Sequence, residues 1–237
     1  MNYSQLVTAI QTYTENSFPA TTLADGTTVS STTQINRLIE QAEQRIYNSV
    51  QFPSLRKNMI GAMTTGLKYL SAPDDYLATY SMAVIENYGT SSETYTFLLN
   101  KDVNFIREAY PETGAAYRGL PKYYALFGPT ITGSTITNEL SFILGPTPDA
   151  AYNVELHFYY YPESITTATT TWLGDNFDTV LLYGSLVEAY TYMKGEPDLI
   201  TLYDTKYKEA LALAKRLGDG MERQDAYRSG QYRQAVT

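Results

Sequence analysis

Apolar residues recur along this chain with two different periods, and the change of period divides it. From Tyr3 to Thr14, Leu6, Ile10 and Tyr13 fall on one face of a helix. A link rich in Thr, Ser and Gly follows from Pro19 to Ser31, with Asp25-Gly26 as a turn signal. Ser31, Thr32 and Thr33 then offer caps for a second helix, striped by Ile35, Leu38, Ile39, Ala42, Ile46 and Val50 and ended by Pro53. From about Leu55 to Thr170 the pattern becomes short runs rich in β-branched and aromatic residues, separated by Gly, Pro and Thr/Ser clusters. These runs predict antiparallel strands at Met59–Met63, Gly66–Leu70, Thr79–Val84, Thr94–Leu99, Tyr123–Phe127, Glu139–Leu144 and Tyr152–Tyr161. In the last of them Val154, Leu156, Phe158 and Tyr160 alternate with Glu155, His157 and Tyr159. Asp102 to Tyr110 predicts a short helix stopped by Pro111.

Helical period returns at Trp172 and predicts a hairpin, Asp175 to Met193 and Pro197 to Leu217. Asp175 stands as an N-cap, with Asp178 in the capping-box position. The first stripe is Phe177, Val180, Leu181, Gly184, Val187 and Tyr190 or Thr191; the second is Leu199, Tyr203, Tyr207, Ala210, Ala214 and Leu217. Gly195 takes the place of a left-handed C-terminal residue and Pro197 that of a first-turn proline. Two helices before the strands and two after them predict an α+β fold. A bundle of about four helices, residues 1–54 and 171–220, would carry an inserted antiparallel β-rich domain, residues 55–170. Gly218 and Gly220 are expected to stop the last helix and leave residues 221–237 as an extended tail.

The tail has no apolar period, so it lacks the surface to offset its ordering entropy. It reads either as a frayed terminus or as a segment ordered by a partner. Tyr227, Arg228, Tyr232 and Arg233 fit the second reading, because Tyr and Arg are favoured interface anchors and the Tyr-Arg pair repeats after five residues.

Composition narrows the function. With 237 residues, 43% hydrophobic and 18% charged, the chain is globular. A net charge of -8 disfavours a nucleic-acid binder that works by neutralising phosphates. The absence of cysteine removes disulfides, thiolate catalysis and Cys-based metal sites. No apolar run approaches a membrane span, and the N-terminus lacks a signal-peptide pattern, so the expectation is a protein made in the cytoplasm with no membrane partner.

Candidate chemistry is sparse. His157, the only histidine, reads as a general base or as a strand residue facing solvent or a partner, and the strand setting favours the latter. Asp74-Asp75 after Pro73 looks like a turn, and Asp175 to Asp178 lacks the alternation of a calcium loop. No phosphate loop, nucleophile elbow or kinase signature occurs, so no catalytic residue, metal or cofactor is expected. A glycosidase built on a carboxylate pair stays open, since such pairs depend on three-dimensional separation. The 23 tyrosines suit a sugar- or receptor-binding surface, a large protein interface, or plain core lining. Tyr159-Tyr160-Tyr161 must send neighbours to opposite faces of one strand, so at least one lies away from the core.

Several stretches together carry a resemblance: residues 34–48, Leu55-Arg-Lys-Asn, Gly66-Leu-Lys-Tyr-Leu and Pro73-Asp-Asp-Tyr-Leu. Residues 101–111, Pro121-Lys-Tyr-Tyr-Ala-Leu-Phe and the C-terminal helical hairpin complete it. In order and texture, over most of the chain, it resembles the head-to-tail adaptor (connector) proteins of tailed bacteriophages. The resemblance implies a virion structural protein with no catalytic residues, forming a homo-oligomeric ring of usually twelve copies. Such a ring sits below the portal protein and above the tail, nozzle or tail-completion protein, and DNA passes through it without specific binding. In that setting the tail residues would dock on the portal. The rival from the residues alone is a tail-associated carbohydrate- or receptor-binding module.

Overall fold

The computed structural model describes residues 1–132 and 135–222. The described residues form two compact units, one from residues 1–55 and 161–222, the other from Arg56 to Tyr160. Among the described residues, seven α-helices and mainly antiparallel sheets make it an α+β protein. Residues 161–170, assigned from sequence to the β-rich insert, belong instead with the helices, because they include a short helix that touches the second long one.

Helix α1, Tyr3–Thr14, starts in a capping box: the Asn2 side chain accepts from the Gln5 N–H while the Gln5 side chain accepts from the Asn2 N–H. The link beyond it holds a small hairpin, β1 (Thr21–Thr22) and β2 (Thr28–Val29), around Asp25-Gly26. Helix α2, Ser31–Ser49, is capped by Ser30, one residue before the expected candidates, with its hydroxyl accepting from the Thr33 N–H. Every residue of the expected α2 stripe is buried.

Eight strands follow: β3 (Arg56–Ala62), β4 (Tyr69–Ser71), β5 (Ala78–Glu86), β6 (Thr94–Phe97), β7 (Leu99–Asn100), β8 (Tyr123–Thr132), β9 (Thr135–Gly145) and β10 (Asn153–Tyr159). They form two four-stranded sheets, in the orders β3-β10-β5-β6 and β4-β9-β8-β7. A shared core of Met82, Val84, Val154, Leu156 and Phe158 from the first sheet and Tyr124, Phe142 and Leu144 from the second packs them face to face. The run Thr94–Leu99 is not one strand. Leu98 turns into this core and donates to the Met82 carbonyl, and Leu99 then joins the other sheet, where β7 runs parallel to β8. Nor does a strand begin at Gly66, which sits at φ +75° with the Arg118 guanidinium where a Cβ would lie. Helix α3, Val103–Ala109, capped by Asp102, covers the outer side of the second sheet with Ile106 against Ala125 and Ile143.

Three corrections concern the C-terminal helices, α4 (Ile165–Ala168), α5 (Trp172–Asn176), α6 (Asp178–Tyr192) and α7 (Pro197–Glu222). Asp175 is not a cap but lies inside α5, whose N-cap is Thr171. Phe177 separates α5 from α6, its ring packed on Phe52 and Trp172. Lys194, not Gly195, adopts the left-handed conformation after α6. The Lys194 and Gly195 N–H groups close a Schellman motif on Thr191 and Tyr190, and Gly195 is small because a Cβ would meet the Tyr190 ring at 2.7 Å. Finally, α7 runs through Gly218 and Gly220. Each glycine costs a helix only about 1 kcal/mol, less than a hard stop requires.

Helix α6 organises this unit, packing against α1, α2, α5 and α7. Val180, Leu181, Gly184, Ser185, Leu186, Val187, Ala189 and Tyr190 are buried, which covers most of its circumference. Gly184 gives Tyr207 of α7 and Ala42 of α2 room to approach. Polar ties join distant segments: Tyr190 to the Tyr13 carbonyl, Tyr192 to Gln34, and Arg45 to Glu188. Buried Glu43 accepts from the Ile165 N–H at 3.0 Å.

Candidate interaction surfaces

The anchor residues expected from sequence, Tyr227, Arg228, Tyr232 and Arg233, lie outside the described residues. Among the described residues no group of three or more His, Asp or Glu side chains converges to hold a metal ion, and no helix is long and apolar enough to cross a membrane. Asp75 follows the Pro73 turn and pairs with Lys57. Asp175 lies 4.0 Å from the N-terminal ammonium. What the structure brings together is two outward faces of the β unit.

Partners in antiparallel register share a face of a sheet, so β10 sorts the first sheet. Val154, Leu156 and Phe158 point inward; Glu155, His157 and Tyr159 point outward. One outward row runs Ile60, Glu155, Ala83 and Phe97, and the next places Ile85 beside Tyr95. Phe97 is 66% exposed, the most exposed aromatic side chain among the described residues. Ile60 and Tyr95 are also exposed, while Ile85 beneath them is buried. Glu155 accepts from Asn58 at 2.6 Å. Glu93 accepts from the Tyr95 hydroxyl and the Gly89 N–H, bonds that hold its carboxyl below the usual range and push the Tyr95 hydroxyl up to about 12.

At the other end of this face a bulge in β5 extrudes Tyr80, whose ring meets His157 at 5.0 Å and Tyr159 at 6.0 Å. The Arg56 guanidinium lies 4.9 Å from the Tyr80 ring. Partial burial, and then Arg56, holds the His157 imidazole below its ordinary pKa. Its neighbours here are a ring and a cation, the setting of an outward strand residue in an aromatic cluster. Of the tyrosine triplet, Tyr159 faces outward, Tyr160 packs against the sandwich core and Tyr161 hydrogen-bonds Asn48 in the helical unit.

The outer face of the second sheet carries α3 and is cationic and aromatic. On one flank Tyr69 and Phe127 pair at 5.2 Å, with the Arg107 guanidinium 4.9 Å from the Phe127 ring. On the other flank Phe105 meets Tyr123 edge-on, and the Lys101 ammonium lies 5.5 Å from Phe105 and 6.0 Å from Tyr123. Beneath, Lys68 donates to the Tyr110 carbonyl, and burial followed by repulsion from Arg107 depresses its pKa. Phe105 and Leu99 stand in solvent beside these charges. Both faces offer apolar area, rings and charge, the ingredients of protein contact.

These residues escaped the sequence reading. In Thr94-Tyr-Thr-Phe the alternation is plain, but alternation alone does not say whether the threonines or the aromatics face the core. No curated protein matches this chain. The sequence signature of the family described as SU10 adaptor protein, however, matches residues 1–234, nearly the whole length. A match of that extent shows the family: the chain belongs to the SU10 adaptor family, phage head-to-tail adaptors, and is a structural component of the virion.

Proposed function

We propose that the chain assembles as a closed ring of twelve copies that joins the portal to the tail and lines the DNA channel, with no catalytic role and no cofactor or metal. The family match over residues 1–234 carries this reading. Two features support it. The chain leaves large apolar and aromatic side chains in solvent on both faces of its β unit, as a subunit awaiting neighbours would. Its net charge of -8 suits a passage through which DNA slides, because like charge avoids the phosphate contacts that retain non-specific binders.

In this reading the segment after α7, with Tyr227, Arg228, Tyr232 and Arg233, docks on the portal above, and a tail, nozzle or tail-completion protein lies below. Arginine pairs with carboxylates or carbonyls of the portal, and the tyrosine rings are buried in the contact.

The test is the number of copies per particle, measured by mass determination of purified virions against the portal protein. Twelve copies are expected, and chains truncated after Glu222 should fold yet be missing from particles. A copy number unrelated to a ring overturns the assembly; binding of a defined glycan that depends on exposed tyrosines points instead to a carbohydrate-binding module. Truncated chains retained at full occupancy remove the tail from the account.

A further inference from the structure

We propose that the two outward faces of the β unit bind each other in neighbouring copies. The α3 face of one copy packs on the first-sheet face of the next, around Phe97, Tyr95 and Glu155. This deepens the ring reading above and rests on it, by naming the surfaces through which the ring closes.

Three observations converge. First, both faces hold apolar side chains in water: Phe97, Tyr95 and Ile60 on one, Phe105, Leu99 and Tyr69 on the other. Second, their unspent charge is opposite. Lys101 and Arg107 have only ring faces as partners and form no ion pair among the described residues. Of the acids beside them, Asp102 is engaged in capping α3 and Glu108 pairs with neither. The first-sheet face presents Glu155 and Glu93, whose described partners are Asn58, Tyr95 and the Gly89 N–H, with Glu86 nearby. The cation at its far end, Arg56, is occupied over the Tyr80 ring. Third, the faces lie on opposite sides of one sandwich, separated by two sheets stacked about 10 Å apart, so a single copy cannot join them. Contact between two different surfaces of identical copies is heterologous, the kind that propagates and closes into a ring. A second copy fits the α3 face better than DNA does: its two cations are already stacked on rings, and its exposed Phe105, Leu99 and Tyr69 offer apolar area that a phosphate backbone would not cover.

Charge reversal in assembled particles tests this. Lys101→Glu with Arg107→Glu makes both faces acidic; Glu93→Lys with Glu155→Lys makes both basic. Each pair should lower the copies of the chain per particle at least about tenfold, since like charges facing each other cost several kcal/mol. The four substitutions together invert both faces and should restore occupancy, which also shows that the altered chain folds. Independently, zero-length carbodiimide cross-linking of unaltered particles should join Lys101 to Glu93 or Glu155 of a neighbour. Either pair leaving occupancy unchanged, a folded fourfold variant absent from particles, or Lys101 linked to a carboxylate of the portal instead would overturn the inference. In all three cases an unaltered chain present in twelve copies leaves the ring itself standing.

Discussion

Helix α6 is buried on nearly every side by α1, α2, α5 and α7, whereas the β unit closes its main core between its sheets, covers part of one outer face with α3, and leaves rings and aliphatic side chains exposed on both outer faces. The difference shows in what reaches solvent. The helical unit exposes seven large hydrophobic side chains among the described residues; the β unit, shorter, exposes thirteen. A chain that had only to fold would hide its rings in both places. In this one the helices hold their apolar area inside, and the sheets put much of theirs outside. Stability and assembly are thus assigned to different residues, and substitutions can separate them.

The largest separation should come from Leu181 and Phe97. Leu181 on α6 is fully buried, so Leu181→Ala removes packed area and leaves a cavity, costing about 2–5 kcal/mol in denaturant unfolding. Phe97→Ala, at an exposed site, should shift stability by no more than about 0.5 kcal/mol yet strip the chain from particles. Equal destabilisation by the two would mean that Phe97 is core and the division is false.

A smaller effect should mark the interior of the helical unit. Burial raises the Glu43 carboxyl above its usual range, opposed by hydrogen bonds from Ser164 and the Ile165 N–H. The folded chain therefore keeps a proton that the unfolded chain releases near 4.5. The stability tied to this proton is complete below that pH and is lost as pH rises through the folded pKa. Glu43→Gln keeps an acceptor for Ile165 and does not titrate. Its urea midpoint, set against that of the unaltered chain, should move upward from about pH 4 to about pH 8. Parallel midpoints across that range would show that Glu43 is solvated.

The helical unit was more legible than the β unit, for a physical reason. A stripe such as Ile35, Leu38, Ile39, Ala42, Ile46 and Val50 has one apolar face and therefore one solution, and every residue in it is buried. The helix ends were misread where tertiary packing outweighs local chemistry: Phe177 breaks α5 from α6 because its ring seats on Phe52 and Trp172, and α7 passes two glycines. In the β unit most strands were found, though Thr94–Leu99 divides between two sheets and no strand begins at Gly66, and a strand with rings on one face and small residues on the other reads the same whichever face is inside. Lys101 and Arg107 gave no signal at all, since only the fold lays α3 across the second sheet and brings Phe105, Tyr123 and Phe127 beneath them. The tail anchors, legible as a repeated Tyr-Arg pair, await a measurement of their own.

Hydroxyl-radical footprinting of the free chain against intact particles tests the division of labour most directly, because it reads each aromatic side chain separately. Phe97, Tyr95 and Phe105 are exposed, so they should react in the free chain and be protected in particles, while Tyr13 on α1, also exposed, should change little. Protection confined to the helical unit, with Phe97 and Phe105 as reactive in particles as in the free chain, would contradict the claim that the sheets carry assembly.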